Sequence, residues 1–262
     1  MIRYLKLYLE LIKNNVSREM QYRPDFVFTF LGRLIWLILT IFFFSVLYGH
    51  TPAINGWTLY QSLLLVGIFE LIETSMYTMF WMNFSSMPTY INEGELDFLL
   101  LKPIDAQFLT SLRFFSLSYG INIITPIVLI IVSAIKLHLA IGVSQIMFFA
   151  ASLLLSMVIF YSLWFLTVIS LFWLNKIYEI QELFVSIFAF MRYPTSIYEG
   201  AIRGFFTFIV PIIFTVIVPV QAIMSALDYR YFTILTIIAL TSFVLARIIW
   251  KYGLKHYSSA SS

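Results

Sequence analysis

Long apolar runs alternate with short polar breaks along almost the whole chain. Residues 26–47 form one such run, interrupted only by the adjacent pair Gly32 and Arg33. At about 1.5 Å per residue it is long enough, as a helix, to cross a bilayer core of roughly 30 Å. The same pattern predicts spans over 60–82, 108–133, 146–173 and 231–250. Pro126, past the middle of the third, predicts a kink because it removes a backbone hydrogen bond. Residues 1–23 read differently. Arg3, Lys6, Glu10, Lys13, Asn14 and Ser17 recur at three- and four-residue intervals opposite Ile2, Leu5, Leu9, Ile12 and Val16. That periodicity suits a helix lying in the membrane interface, ended at Pro24.

The segment 175–224 admits two readings. In one, 205–224 is the fifth span and 183–203 stays in the cytoplasm. In the other, 177–192 is a short fifth span and 194–224 is a re-entrant segment on the outer side. Pro211 and Pro219, eight residues apart, favour the broken, re-entrant form, which is tolerable where it is buried in protein. Either reading gives six crossings in a single membrane domain, residues 1–262.

Composition agrees with an all-α integral membrane protein. The chain has 262 residues, 61% hydrophobic and only 11% charged, with a mean hydropathy of +0.93. Soluble domains carry about 25% charged residues, so this chain could not cover a surface facing water. No cleavable signal peptide is visible, since the first residues mix polar and apolar positions. Five Lys or Arg precede the first span and three end or follow the last, whereas loop 48–57 has none and loop 134–144 has one. The positive-inside rule places both ends in the cytoplasm. A formal charge of +3 is too small to imply a nucleic-acid partner, and zero cysteines exclude disulfides and thiolate metal sites.

Residues 83–105 then become the most informative stretch. They lie on the cytoplasmic side and hold four of the thirteen acidic residues, Glu93, Glu95, Asp97 and Asp105. They also hold an apolar cluster, 98–101, that a simple connector does not need. Ser86 can cap a short helix, Pro88 fits its first turn, and Gly94 can end it. An apolar plug rimmed by Glu95, Asp97 and Lys102 suits insertion into a partner's groove. The same cluster could instead dip into the lipid interface.

At Gly94-Glu95-Leu96-Asp97-Phe98-Leu99-Leu100-Leu101-Lys102-Pro103 the chain resembles the ABC-2 family of bacterial ABC-transporter permeases, in the branch with a G-x-L-D-x-x-L-x-x-P signature after the second span. The likeness runs over nearly the whole chain and includes Arg192-Tyr193-Pro194-Thr195-Ser196-Ile197-Tyr198. It implies a coupling helix over 83–105 seated in a separate ATPase, with Ser86, Pro88, Gly94, Glu95, Leu96, Asp97, Phe98, Lys102 and Pro103 as coupling residues. It favours the re-entrant reading of 194–224. It also implies export across a bacterial inner membrane by two ATPase copies and two permease subunits, identical or homologous.

No G-x-x-x-x-G-K-[ST] occurs, so ATP and Mg would sit on the partner and this chain would bind no cofactor and catalyse nothing. No H-E-x-x-H or G-x-S-x-G occurs, and the three histidines lack metal-ligand spacing.

Glu70 and Glu73 fall within the second span, three residues apart and therefore on one helix face. Acids at membrane depth face protein or a water-filled cavity. Comparable depth along the first span makes an Arg33–Glu73 pair the expectation, with Arg113 as competing partner. Pairing is the structural expectation for these four. The functional alternatives are contact with cationic cargo, or coupling carboxylates in an ion- or proton-driven secondary transporter. The halves 1–133 and 134–262 show no internal repeat of the kind secondary transporters often carry.

Overall fold

Helices account for almost all the structure in this computed structural model, which describes residues 2–21, 23–174, 177–193, 198–209 and 211–257. Five helical segments are long and apolar enough to cross a membrane: Phe26–Leu47, Leu59–Asn92, Leu117–Lys136, Val143–Phe172 and Tyr229–His256. The protein is therefore an all-α, multi-pass membrane protein.

The amphipathic N-terminal segment forms α1 (Ile2–Glu19). Its apolar positions divide, because Leu5 and Leu9 are exposed while Leu11, Ile12 and Val16 are half-buried, beside the buried polar Asn15. An outward apolar stripe beside basic residues fits a helix resting in the interface. The chain then turns into α2 (Arg23–Leu47), so the break precedes Pro24, which falls in the first turn of α2. Only 6% of the most apolar window of α2 is buried. Its far end is attached through Phe44 and by Tyr48, whose hydroxyl lies 2.7 Å from Ser62 Oγ.

The centre of the bundle is α3 (Leu59–Met76), with 13 of its 18 residues buried. Gly67 permits close packing here, since a Cβ on it would lie 2.9 Å from Ile130 Cγ1. Beyond α3 the helix continues through a π turn (Tyr77–Trp81), α4 (Met82–Ser85) and α5 (Met87–Asn92). These make one helical rod of 34 residues, Leu59–Asn92, about 50 Å long. The helix does not end near residue 82. It continues, through the π turn and a turn at Ser86, into the stretch expected to be a loop, which is completed by α6 (Glu95–Leu100).

The expected third span, 108–133, is broken. α7 (Ala106–Leu112) stops, residues 113–116 are non-helical, and α8 (Leu117–Gly120) and a 3₁₀ turn (Ile121–Ile123) lead into α9 (Ile124–Lys136). Pro126 is the third residue of α9, so the helix starts afresh before it rather than kinking at it. Exposed backbone groups of a broken helix are costly in lipid. Here they are met by protein. Asn83 accepts from Phe114 N–H (2.8 Å) and donates through Nδ2 to Phe114 O (2.8 Å). Ser116 N–H donates to Thr78 O of the π turn (2.9 Å), and Asn15 Nδ2 donates to Arg113 O (3.0 Å). Glu19 of α1 accepts from Ser118 N–H at 3.0 Å. The second span and the N-terminal helix thus splint the break from two sides.

α10 (Val143–Ile169) packs along α13 (Ile212–Ile223) and α14 (Tyr229–His256). Between them lie α11 (Ile177–Ala189), α12 (Gly200–Gly204) and a π turn, Phe205–Ile209. α11 runs antiparallel to the second span, from Gln181 donating to Phe84 O (3.4 Å) to Arg192 beside Glu73. With 13 residues it extends only about 20 Å, short of a full crossing by itself. At the end of the expected fifth span, 177–192, Met191 Sδ accepts from Thr215 Oγ1 of α13 at 3.5 Å. The expected re-entrant segment has a short helix on either side of Pro211, and its residues 194–197 and 210 lie outside the described residues. Among the described residues, no atom lies within 4 Å of where a Cβ on Gly200 or Gly204 would sit.

Asn83→Leu removes both arms of the clasp on Phe114 and should cost about 2–3 kcal/mol, the penalty for buried unsatisfied backbone groups. Thermal unfolding of purified protein in detergent checks this; an unchanged midpoint would show that the break does not depend on Asn83.

Candidate coupling stretch and intramembrane charge cluster

Residues 86–103 fold as two short helices with a sharp turn between them. Pro88 occupies the first turn of α5, where its missing N–H costs nothing. Ser86 does not cap this helix through its side chain; its Oγ donates to Met82 O at 2.7 Å. Gly94 adopts φ 77°, the left-handed conformation that glycine reaches without a Cβ clash, and so reverses the chain into α6. Glu95 and Asp97 lie in the first turn of α6, the favourable end for acids.

Helical phase then splits the apolar cluster. Leu96 and Leu99 point inward and are buried, at 0% and 2% exposed. Phe98 and Leu101 point outward, at 70% and 82% exposed. Lys102 and Pro103 continue the exposed edge. The stretch presents an apolar tip with charged neighbours on a base anchored in the core.

Just beyond it, Asp105 ties three elements together. Its side chain accepts from Phe108 N–H (3.0 Å) as the N-cap of α7, and its backbone N–H donates to Tyr4 Oη of α1 (3.2 Å). Arg247 of α14 makes a bidentate ion pair with its carboxylate and also donates to Gln107 Oε1 at 2.8 Å. Gln107 Nε2 donates in turn to Tyr161 Oη of α10 (3.0 Å). Partial burial would raise the Asp105 carboxyl, but the bonds from Arg247 and from the Phe108 N–H outweigh it and hold it below its usual range. These links were not apparent from the sequence, although an Asp at an N-cap position was a visible signal.

The charged residues of the second span form a separate cluster. Arg33 Nη2 lies 3.5 Å from Glu70 Oε2 and 3.8 Å from Glu73 Oε2, and donates to Thr74 Oγ1 at 3.3 Å. The nearest cation to Glu73 is Arg192, at 3.2 Å. The Arg192 guanidinium also lies against the rings of Trp36 (5.2 Å) and Phe69 (5.1 Å). Arg113 is not in this cluster. It donates to Tyr90 Oη at 3.2 Å and lies over the Phe114 ring at 5.2 Å, beside the break in the third span. Sequence reasoning missed Arg192, which ends a short apolar helix and balances the second acid. Two arginines and two glutamates give the cluster no net charge. It borders a cleft of about 430 Å³ that also touches Gly32, Tyr77, Tyr119 and Asn122. Among the described residues no group of His, Asp or Glu could hold a metal ion.

A family model described as ABC-2 family transporter protein matches residues 34–261, most of the chain. The protein belongs to that family. The match includes the coupling stretch, both glutamates and Arg192, and begins immediately after Arg33. No curated protein matches the chain. An ABC-2 protein of this kind is a membrane permease component of an ABC transporter, without ATPase activity of its own, and its family works with an ABC ATPase.

Arg33→Ala in this permease leaves Glu70 buried without its nearest cation and should lower stability by about 3–5 kcal/mol. Adding Glu70→Gln should recover much of that loss; no recovery in denaturation midpoints would mean that Arg33 acts through packing alone. For Asp105, the depressed folded pKa means that its contribution is present above the ordinary carboxyl value, about pH 4, and is lost as pH falls through the lower folded value. Hydrogen exchange should show protection near Arg247 falling in acid in the native protein but not in Asp105→Asn. Parallel profiles would exclude the pair as the cause.

Proposed function

We propose that this permease is the membrane subunit of an ATP-driven exporter, and that 86–103 is where a separate ATPase engages it. The observation that carries this reading is the exposure of Phe98 and Leu101 on a helix whose other face, Leu96 and Leu99, is locked into the core. A lipid-dipping loop needs no rigid base. A docking element that must transmit force does.

In this mechanism ATP and Mg bind two ATPase copies, which close on ATP binding and push α5 and α6. Because α5 is the end of the 34-residue rod Leu59–Asn92, the push reaches the bundle centre directly. Asp105 shares it with α1 through Tyr4 and with α14 through Arg247. Hydrolysis resets the assembly, and two permease subunits, identical or homologous, alternate access to a path between them. The complex sits in a bacterial inner membrane with both termini in the cytoplasm, in accord with the basic ends of the chain. The balanced charges of Arg33, Glu70, Glu73 and Arg192 support a pairing role for these residues rather than ion coupling.

Gentle extraction from the native membrane should bring down a P-loop ATPase. Phe98→Ala with Leu101→Ala should weaken its retention about tenfold or more, the cost of losing roughly 1.4 kcal/mol at a docking centre, with the unfolding midpoint unchanged. If the double variant keeps its ATPase and transports normally, the stretch is a connector only.

A further inference from the structure

A second cavity, of about 610 Å³, lies apart from both the coupling tip and the charge cluster. Its walls are almost wholly apolar and come from Met76, Met79 and Phe80 of the second span, Leu154 and Met157 of α10, and Phe243 of α14. Leu154, Val158 and Tyr161 line it from one face of α10, so it runs about 10 Å along that helix. Leu154 is 63% exposed and Phe243 45% exposed, so the cavity opens at the surface of the bundle beside α10 and α14. Its polar groups gather at one end, where Asp105, Gln107 and Arg247 meet. Tyr4 of the interfacial helix α1 also touches that end, through Asp105 N–H and an edge-on contact with Phe108 at 4.9 Å. An apolar slot with a charged pair at one end, beside the amphipathic helix α1, matches the make-up of an amphiphile.

We propose that this cavity holds one acyl chain of a zwitterionic phospholipid, with the headgroup at the Asp105–Arg247 pair. The headgroup assignment follows from charge. Asp105 and Arg247 neutralise each other, so the mouth offers no net attraction to an anionic lipid. Each side chain is still about one third exposed, at 33% and 34%. A headgroup bearing both signs can place its phosphate beside the guanidinium and its ammonium beside the carboxylate. The chain fills apolar space that would otherwise lack contacts on one side. A lipid held here bridges the second span, α7, α10 and α14 at the point where the coupling stretch joins α14. It is independent of whether an ATPase binds.

The test uses the full-length protein in bilayers containing phosphatidylethanolamine with a photoreactive group near the end of one acyl chain. Peptide mapping after illumination should place label at Met157 and Phe243. Leu154→Trp, at the exposed rim, should cut that label about tenfold without changing the unfolding midpoint. Met157→Trp, deeper in, should do the same if it folds. Unlabelled phosphatidylethanolamine should compete far better than phosphatidylglycerol. Label confined to α2, or label that Leu154→Trp leaves unchanged, would overturn the lipid site. Equal competition by phosphatidylglycerol would overturn the zwitterionic assignment.

Discussion

The side chain of Asn83 bonds both the N–H and the C=O of Phe114, and much of the bundle depends on that clasp. In a bilayer, an unpaired backbone group has no water to turn to, so a span can be interrupted only where protein supplies the missing partners. The interruption at residues 113–116 is supplied three ways: by Asn83, by the Thr78 carbonyl in the π turn, and by Asn15 of the N-terminal helix. Each of these groups belongs to a different part of the helix pair it joins. The second span, the third span and α1 therefore form one unit at the end of the bundle where the coupling stretch sits.

That unit gives the coupling stretch its mechanical character. A loop between two spans would absorb a push. In the proposed mechanism a helix that continues the most buried span would pass it on, because bending a hydrogen-bonded helix costs more than rearranging a loop. Asp105 adds a second route to α14, and Gln107 a third to α10 through Tyr161. By contrast α2 is held mainly by its far end and by Arg33, with almost none of its surface buried. The rigid and loosely held parts of the permease are thus clearly separated.

The charge cluster shows how a membrane interior accommodates ionised groups. Arg33 is shared, lying within 4 Å of both glutamates, and Arg192 pairs with Glu73 alone. Sharing lets two carboxylates three residues apart stay on one helix face without unbalanced charge, and the rings of Trp36 and Phe69 cover Arg192 on either side.

Hydropathy and periodicity act over a few turns of chain, and what they govern was legible. The membrane class, the positions of most long apolar helices, the amphipathic pattern of α1 and the common face of Glu70 and Glu73 all follow from local pattern. The splitting of the cluster at 98–101 into buried Leu99 and exposed Phe98 and Leu101 is a matter of helical phase, which the bend at Gly94 resets. The rest was decided by contacts between residues far apart in the chain. Arg192 meets Glu73 across 119 positions and Arg247 meets Asp105 across 142, and no local pattern encodes such distances. The broken third span is the clearest case. Its residues are apolar enough for a continuous helix, yet Asn83, Thr78 and Asn15 offer its backbone better partners than its own next turn. Residues 86–103 first stand out as a polar interruption with an apolar core. Only the tertiary structure shows that 87–92 are the end of the central helix and that α6 turns off it at Gly94, because continuity through a π turn and past Pro88 depends on packing, not composition.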